Sequence, residues 1–161
     1  MGPDEIAAEL EAARGLLDAT SGAHLAYTAA DGTPRVAPVG YFWTGTEFVV
    51  STADTAPKVR PLQDRPDVAL AIDGGDTPGE ARALSVRGRA TVEIVDGVVP
   101  EYLAAARKSM GDDAAAFEAN VRAMYDRMAR IAITPTWARF YDFNAGRLPG
   151  YLKDLADRLE G

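Results

Sequence analysis

The sequence has 161 residues, a formal net charge of −7 and no cysteine, which suits one domain with a single core and excludes disulfide and thiolate chemistry. Hydrophobic residues make up 47% of the chain, and no apolar run approaches the roughly 18 residues that span a bilayer, so we expect a folded protein with no membrane partner. The excess of negative charge argues against nucleic acid as a partner, since that affinity comes from clustered cations.

The first predicted element is an amphipathic helix over residues 3–21. Ile6, Leu10 and Leu17 recur at helical spacing, and Gly22 follows as a stop signal. The first residues lack the basic region and the apolar stretch of a secretory signal, so we expect a cytoplasmic protein.

Three strands follow, over residues 23–29, 35–43 and 47–52. The Asp31-Gly32 pair joins the first two as a hairpin turn, because glycine accepts the positive φ that such turns require. Connections this short leave no room for a crossover helix. The three strands are therefore predicted to be antiparallel, and a doubly wound parallel sheet is excluded.

A short helix over residues 55–64 comes next, limited to about two turns by Pro61 inside it. Residues 68–73 form a nearly continuous apolar run, which predicts a strand buried on both faces. Residues 83–95 predict a longer strand, and Gly88 at its middle indicates a bulge or bend.

Two helices are predicted over residues 100–110 and 113–128. The second carries an apolar stripe that indicates core packing, formed by Phe117, Val121, Met124 and Met128. Strands over residues 129–134 and 137–143 follow, joined by Pro135, which cannot donate a hydrogen bond to a ladder.

A short helix over residues 151–159 is predicted within a tail of residues 144–161. We expect a single domain over residues 1–161, with a barrel at 23–143 that is interrupted by the helical insertion 100–128. The predicted fold class is mainly β with peripheral helices (α+β), in the form of a small closed antiparallel barrel of six or seven strands.

Candidate binding chemistry is concentrated where the third strand passes into the short helix. Ser51 and Thr52 offer hydroxyl groups, the first amides of the helix carry partial positive charge, and Lys58 adds a full charge. The sequence therefore predicts a phosphate site here. The alternative is a surface helix whose Lys58 and Arg60 are merely solvated, although three lysines against fourteen arginines make a lysine at this position informative.

Side chains that catalyse reactions without a cofactor are scarce. His24 is the only histidine, so a multi-histidine metal site is excluded and a Ser-His-Asp triad would depend on that one residue. The motifs GxGxxG, the P-loop and GxSxG are absent. An enzyme with this sequence is predicted to take its reactivity from a bound cofactor.

Short motifs follow one another in a characteristic order over residues 20–143. The first group is Arg35, Pro38, Ser51, Thr52, Lys58, Leu62 and Arg65-Pro66. The second group is the segment Val86-Arg87-Gly88-Arg89-Ala90 and the strand pair 131–143. In order and spacing, these motifs resemble the pyridoxamine 5′-phosphate oxidase-like family of flavin-binding split β-barrels.

The resemblance implies a Greek-key split barrel that binds FMN and acts as an oxidoreductase, with hydride transfer to or from a small organic substrate. It implies a homodimer with the cofactor at the subunit interface, the ring against the second strand and the phosphate at Ser51, Thr52 and Lys58. The implied cofactor-binding residues are Arg35, Val36, Ala37, Pro38, Val39, Ser51, Thr52, Lys58 and Val59. It identifies no catalytic side chain and no metal ligand.

Other cofactors are compatible with the same resemblance. The deazaflavin coenzyme F-420 would use the same phosphate site, and the arginine-rich, lysine-poor composition resembles that of high-GC bacteria, in some of which deazaflavin enzymes are abundant. A non-catalytic flavin- or haem-binding protein is another alternative, and a haem would find only His24 as a histidine ligand. The last alternative is a scaffold whose groove has lost its cofactor.

The sequence departs from the family pattern at three places. Gly40 stands where the vitamin oxidases carry a lysine, Pro61 stands where relatives often carry asparagine, and residues 139–142 replace their C-terminal Arg-x-His motif. We therefore do not expect the vitamin oxidase activity itself. Five aromatic residues would line the dimer interface or stack on the ring if they are exposed, but core packing is favoured for each: Tyr41, Trp43, Trp137, Phe140 and Tyr141.

Overall fold

One antiparallel sheet of seven strands forms the centre of the protein. The computed structural model describes residues 1–161. The strands are β1 Gly22–Thr28, β2 Pro34–Gly40, β3 Phe42–Trp43, β4 Phe48–Ala53, β5 Asp67–Gly74, β6 Arg82–Asp96 and β7 Arg127–Asp142. Their order across the sheet is β2-β1-β5-β6-β7-β4-β3, and every neighbouring pair is antiparallel. The predicted mainly β fold with peripheral helices is confirmed.

The sheet curls but does not close, so the predicted closed barrel is wrong in this respect. Strands β2 and β3 form the two edges, and β2 contacts β4 across the opening without a ladder between them. The reason is covalent: β2 and β3 follow each other with only Tyr41 between them. They therefore cannot lie side by side and complete the ring of strands.

Six helices surround the sheet. They are α1 Pro3–Ala12, α2 Arg14–Ala19, α3 Val59–Asp64, α4 Pro100–Met110, α5 Ala114–Met124 and α6 Gly150–Glu160. Helix α1 packs on β7, and α4 packs against α5 and β4. Measured by length and hydropathy, none of the six qualifies as a membrane-crossing helix.

The predicted helix over residues 3–21 is two helices that meet at Ala13. This residue has φ −83° and ψ −1° and is completely buried. The break keeps the local backbone bonded, because the amide of Ala13 donates to Glu9 and the amide of Leu17 donates to Ala13. It allows Leu10 on α1 and Leu17 on α2 to reach the same core cluster.

Three other element boundaries differ from the prediction. Tyr41 divides the predicted strand 35–43 into β2 and β3, whereas the predicted strands 129–134 and 137–143 form the single strand β7. Helix α5 ends at Met124, whose side chain is 71% exposed, and Met128 lies in β7, so the predicted apolar stripe does not continue. Pairing of residue 128 with β4 and β6 overrides its helical spacing.

Strand β5 is buried on one face only, which corrects the expectation that both faces are buried. Val68, Leu70 and Ile72 point into the core, while Ala69 and Ala71 point outward. Alanine is apolar but small enough to remain at a surface, so the continuous apolar run does not indicate two buried faces here.

A bulge between β6 and β7 sets which residues of β7 face the core. Arg87 pairs with Trp137 and Gly88 pairs with Pro135, so β7 contains one extra residue at this point. Ile133 therefore faces the core before the bulge and Ala138 faces it afterwards, which changes the inward residues from odd to even numbers. The bulge predicted at Gly88 is confirmed.

A carboxylate connects α1 to the last strand. Glu9 Oε2 accepts a hydrogen bond of 2.7 Å from the backbone amide of Phe140. Its two oxygens also accept from Arg147 at 3.0 Å, and Arg139 lies 3.5 Å from Oε1. Residue 9 is thereby joined to residues 130 to 138 positions later in the chain.

Helix α6 leaves its apolar residues in solvent. Its location agrees with the helix predicted over residues 151–159. Tyr151, Leu155 and Leu159 are 69%, 51% and 89% exposed. This helix therefore contributes little to the core of the chain.

We expect that Gly88→Ala destabilises the fold by about 1–3 kcal/mol, the usual cost of forcing atoms into a packed site. A Cβ at residue 88 would lie 2.7 Å from the carbonyl oxygen of Thr134 and 2.8 Å from Cγ2 of Ile133. Urea denaturation followed by circular dichroism measures the change. Gly150→Ala is the control, since nothing lies within 4 Å of its added methyl group. Equal stability of the two variants would contradict the packing argument.

Candidate functional site

The chain forms a turn with free donors between β4 and α3. The amide of Ala56 donates to Ala53 and the amide of Val59 donates to Ala56, which folds the connection tightly. The amides of Lys58 and Arg60 donate no backbone hydrogen bond, as is usual for the first residues of a helix. These donors are available to an anion.

A hollow of about 490 Å³ lies beside this turn. It is lined by the turn residues 54–57 together with Arg60, Ile94 and Arg127. Arg127 is already paired with Asp54 at 3.2 Å. The hollow therefore offers one unpaired guanidinium, that of Arg60, as well as backbone donors.

Lys58 lies at the same turn and makes no ion pair. It is the residue before the first turn of α3 and is partly buried. Its ammonium donates no hydrogen bond within the chain. The side chain does not line the hollow itself. Lys108, by contrast, donates to the carbonyl oxygens of Leu17 and Thr20 at 2.5 and 2.6 Å. Lys58 thus remains available for a ligand.

The two hydroxyl residues predicted at the phosphate point to opposite faces of β4. Val50 and its face neighbours belong to the main core, whereas Val49 and Ser51 line a second cavity on the outer side of the sheet. Alternation along the strand places Thr52 on the face of Val50. Thr52 makes no side-chain hydrogen bond, so its hydroxyl is the one that is free on the α3 side.

Of the residues of β2 that are predicted to bind the cofactor, Arg35 lies at the hairpin end of the strand. Arg35 is held at the hairpin turn, where its guanidinium lies 3.2 Å from Asp31. Hydrogen bonds from Thr33, together with Arg35, lower the pKa of Asp31 to about 2. Arg35 is thus engaged locally in this structure.

The side chains of β2 alternate as expected for an edge strand. Val36 and Pro38 face outward, and the exposed fraction of Val36 is 69%. Ala37 and Val39 face the interior and are partly buried. The predicted contact residue Val59 is buried at 6% exposure, and its amide already donates to Ala56, so it offers no free donor to a ligand.

A row of mostly apolar side chains crosses the outer face of the sheet. Val36 pairs with Ala26, which pairs with Ala69, and the row continues through Arg87 to Trp137. Arg87 lies over the ring of Trp137 at 4.4 Å. Of the five aromatic residues favoured for the core, Tyr41 and Phe140 are buried there at 1% and 6% exposure.

A second cavity, of about 190 Å³, lies between β4 and the helix pair α4 and α5. We call it the α4 cavity. Val49 and Ser51 of β4 line one side and Gly40, the last residue of β2, lines another. The rings of Tyr102 and Phe117 also line it, with centroids 5.9 Å apart. The structure therefore brings Ser51 together with the end of β2, while Arg35 lies at the opposite end of that strand.

An ion pair lies beside the α4 cavity. Arg130 Nε donates to Glu101 Oε1 at 2.9 Å, and Arg130 is also 3.8 Å from Glu47. The hydrogen bonds from Arg130 hold the pKa of the Glu101 carboxyl below its ordinary value. The pair therefore stabilises the fold at neutral pH, and this contribution is lost as the pH falls through the depressed pKa.

Two buried polar atoms at the α4 cavity have no hydrogen-bond partner. They are Oγ of Ser51 and Oε2 of Glu101. Sequence reasoning identified Ser51 but missed Glu101 and Arg130. The one local signal for Glu101 is its position in the first turn of α4 after Pro100, which is typical of any acidic residue at a helix start.

Known proteins resemble the chain in sequence and in fold. Residues 10–142 match the sequence profile of the pyridoxamine 5′-phosphate oxidase family. No curated protein matches the chain. A conserved hypothetical protein from Mycobacterium tuberculosis is 25% identical with a TM-score of 0.64, and the match covers 92% of this chain and 89% of that one.

Two further solved structures are similar. One is an F-420 reductase, 28% identical with a TM-score of 0.60, matched over 78% of this chain and 94% of that one. The other is a haem-binding protein from Mycobacterium smegmatis, 25% identical with a TM-score of 0.57, matched over 83% of this chain and 53% of that one. The profile match spans most of the sequence and the entire sheet, so this chain belongs to the pyridoxamine 5′-phosphate oxidase family.

Proposed function

We propose that the protein is an oxidoreductase that binds a phosphate-bearing flavin-type coenzyme, FMN or the deazaflavin coenzyme F-420. When bound, such a coenzyme supplies hydride transfer to or from a small organic substrate. The protein binds the phosphate at the turn between β4 and α3 and orients the ring along β2. It contributes position and electrostatics, because no side chain at the site is arranged as an acid-base pair.

The observation that carries this proposal is the group of unused donors at the turn. The amides of Lys58 and Arg60 and the ammonium of Lys58 have no partner in the chain, and the hydroxyl of Thr52 is also free. A phosphate accepts hydrogen bonds from each of these groups, and charged hydrogen bonds are the stronger ones. The hollow beside the turn, whose wall includes Arg60, provides space for an anion next to these donors.

The outer face of β2 supports the part of the proposal that concerns assembly. We propose a homodimer in which this face packs against the partner and the coenzyme lies between the two subunits. Val36, Ala26 and Ala69 present a small, apolar surface, which is the composition of an interface core. The exposed Val36 would gain most from being covered.

The relatives differ in the cofactor that their names give. The F-420 reductase favours the deazaflavin for this chain, since it is 28% identical and its length is almost fully matched. The haem-binding protein supports a non-catalytic alternative, but this chain spans about half of its length. His24, the only histidine, lies exposed on β1 and would be the one histidine ligand for a haem.

An absorbance titration of the purified protein tests the choice of cofactor. We expect FMN or F-420 to bind with a shifted visible band and quenched fluorescence, because the ring leaves water for a protein surface. Haemin is added in a parallel titration. Saturable binding of haemin with a Soret shift, and no binding of either flavin-type coenzyme, would contradict the proposal.

Replacement of the lysine at the turn tests the phosphate site. Lys58→Ala is expected to weaken coenzyme binding by about 1.5–3 kcal/mol, the usual value of a hydrogen bond to a charged group. Isothermal titration with FMN and with F-420 measures the change. Lys153→Ala removes an equivalent charge from the surface of α6 and should leave the affinity unaltered. An unchanged affinity in Lys58→Ala would remove this residue from the site.

A charge on the outer face of β2 tests the dimer. We expect Val36→Asp to shift the protein to a monomer in analytical ultracentrifugation and to weaken coenzyme binding, because a carboxylate would be buried without a partner. Met124→Asp is the matched control, since Met124 is equally exposed at 71% but lies at the end of α5. If Val36→Asp remains a dimer, as Met124→Asp is expected to, the dimer interface does not include the outer face of β2.

A further inference from the structure

The α4 cavity contains polar atoms that the chain does not satisfy. Oγ of Ser51 and Oε2 of Glu101 are buried and have no partner, although the other oxygen of Glu101 is bonded to Arg130. Buried polar groups in native proteins are nearly always paired, so each exception requires an explanation. Both exceptions in this chain line the same cavity.

The arrangement of Glu101 determines what can satisfy it. Its pKa is lowered by Arg130, so the carboxyl is ionised at neutral pH and acts only as an acceptor. A ligand that meets Oε2 must therefore donate an N–H or O–H group. Ser51 Oγ is a hydroxyl, so it can either donate to the ligand or accept from it.

The size and the walls of the cavity restrict the ligand further. About 190 Å³ is close to the roughly 150 Å³ of an apolar cavity known to hold benzene. Val49 and Ala105 provide apolar wall, and Tyr102 and Phe117 provide aromatic faces. A single ring with small substituents fits these limits.

The charge of the ligand follows from the ion pair. Arg130 neutralises Glu101 directly, and Glu47 is more distant at 3.8 Å and more exposed. Glu101 and Arg130 together carry no net charge, so the pair does not offset the cost of moving a full cation from water into mostly apolar walls, although Oε2 remains an ionised acceptor. A neutral donor is favoured.

We propose that the α4 cavity binds a small, neutral ring compound that donates a hydrogen bond to Oε2 of Glu101, with Ser51 Oγ as a second polar contact. Gly40 links this cavity to β2, along which the coenzyme ring is proposed to lie. The identification of the ligand as the substrate rests on the proposed function. Binding in the cavity does not.

Phenol and toluene are the probes, because they share a ring and a size and differ in the hydroxyl donor. Each is titrated into isotope-labelled, coenzyme-free protein, and amide shifts are followed by NMR. We expect phenol to shift amides around Val49, Ser51 and Tyr102 and to bind at least about tenfold more tightly than toluene, since a hydrogen bond to a charged group is lost with toluene. Equal affinities would overturn the proposal, as would shifts elsewhere or none with either probe.

Two variants assign the preference to the named atoms. Glu101→Gln should reduce the difference between phenol and toluene to about twofold or less, because the amide lacks the charge of the acceptor. Glu118→Gln is its control. Like Glu101, Glu118 is paired with arginine, in its case Arg107 and Arg122, but it lies outside the cavity. A full preference for phenol in Glu101→Gln would overturn the assignment.

Two serine variants test the cavity site independently, in case Glu101→Gln does not fold. Ser51→Ala should weaken phenol binding severalfold, whereas Ser109→Ala should not, because the Ser109 hydroxyl already donates to Ala105 at 3.1 Å. Unchanged phenol binding in Ser51→Ala would show that Ser51 Oγ does not contact the ligand.

If phenol fails to bind while FMN or F-420 binds, the cavity proposal is wrong and the proposed function is unaffected. If phenol binds in the cavity while neither FMN nor F-420 binds, the proposed function is wrong and the cavity proposal stands.

Discussion

The architecture depends on the pairing of β6 with β7 and on the bulge within it. Strand β7 also pairs with β4, so its register fixes the position of both neighbours. Because the extra residue lies beyond Ile133, Arg130 faces outward towards α4 while Ala138 and Phe140 face the core. Gly88 permits this geometry because only hydrogen fits beside the carbonyl of Thr134. The ion pair at the α4 cavity is therefore a consequence of sheet register.

Strand β4 contributes to two sites through its two faces. Thr52 and the turn before α3 provide the donors proposed for a phosphate, and Ser51 provides a polar atom to the α4 cavity. Alternation along a strand makes this division unavoidable for adjacent residues. Neighbouring hydroxyls in a sequence can therefore serve different ligands, and the Ser51-Thr52 pair is better treated as two contacts than as one.

Local signals made most of the fold predictable from the sequence. The Asp31-Gly32 turn, the bulge at Gly88 and the short helix before Asp64 each depend on nearby residues, and all three are present. The helical spacing of Met128 predicts a helix residue, and only the pairing of β7 reveals it as a strand residue. Glu101 and Arg130 are 29 positions apart, and no sequence pattern specifies that the first turn of α4 lies next to Arg130 of β7.

The Glu9 contact has a consequence for the order in which the chain folds. Its partners lie 130 to 138 residues later, and the two strands that flank β7 also need residues 127–142 before they can pair. During vectorial synthesis the N-terminal helix emerges from the ribosome long before its docking surface exists. The nascent protein must therefore carry α1 undocked until β7 has been synthesised, and its many long-range contacts predict slower folding than that of a helical protein of equal length.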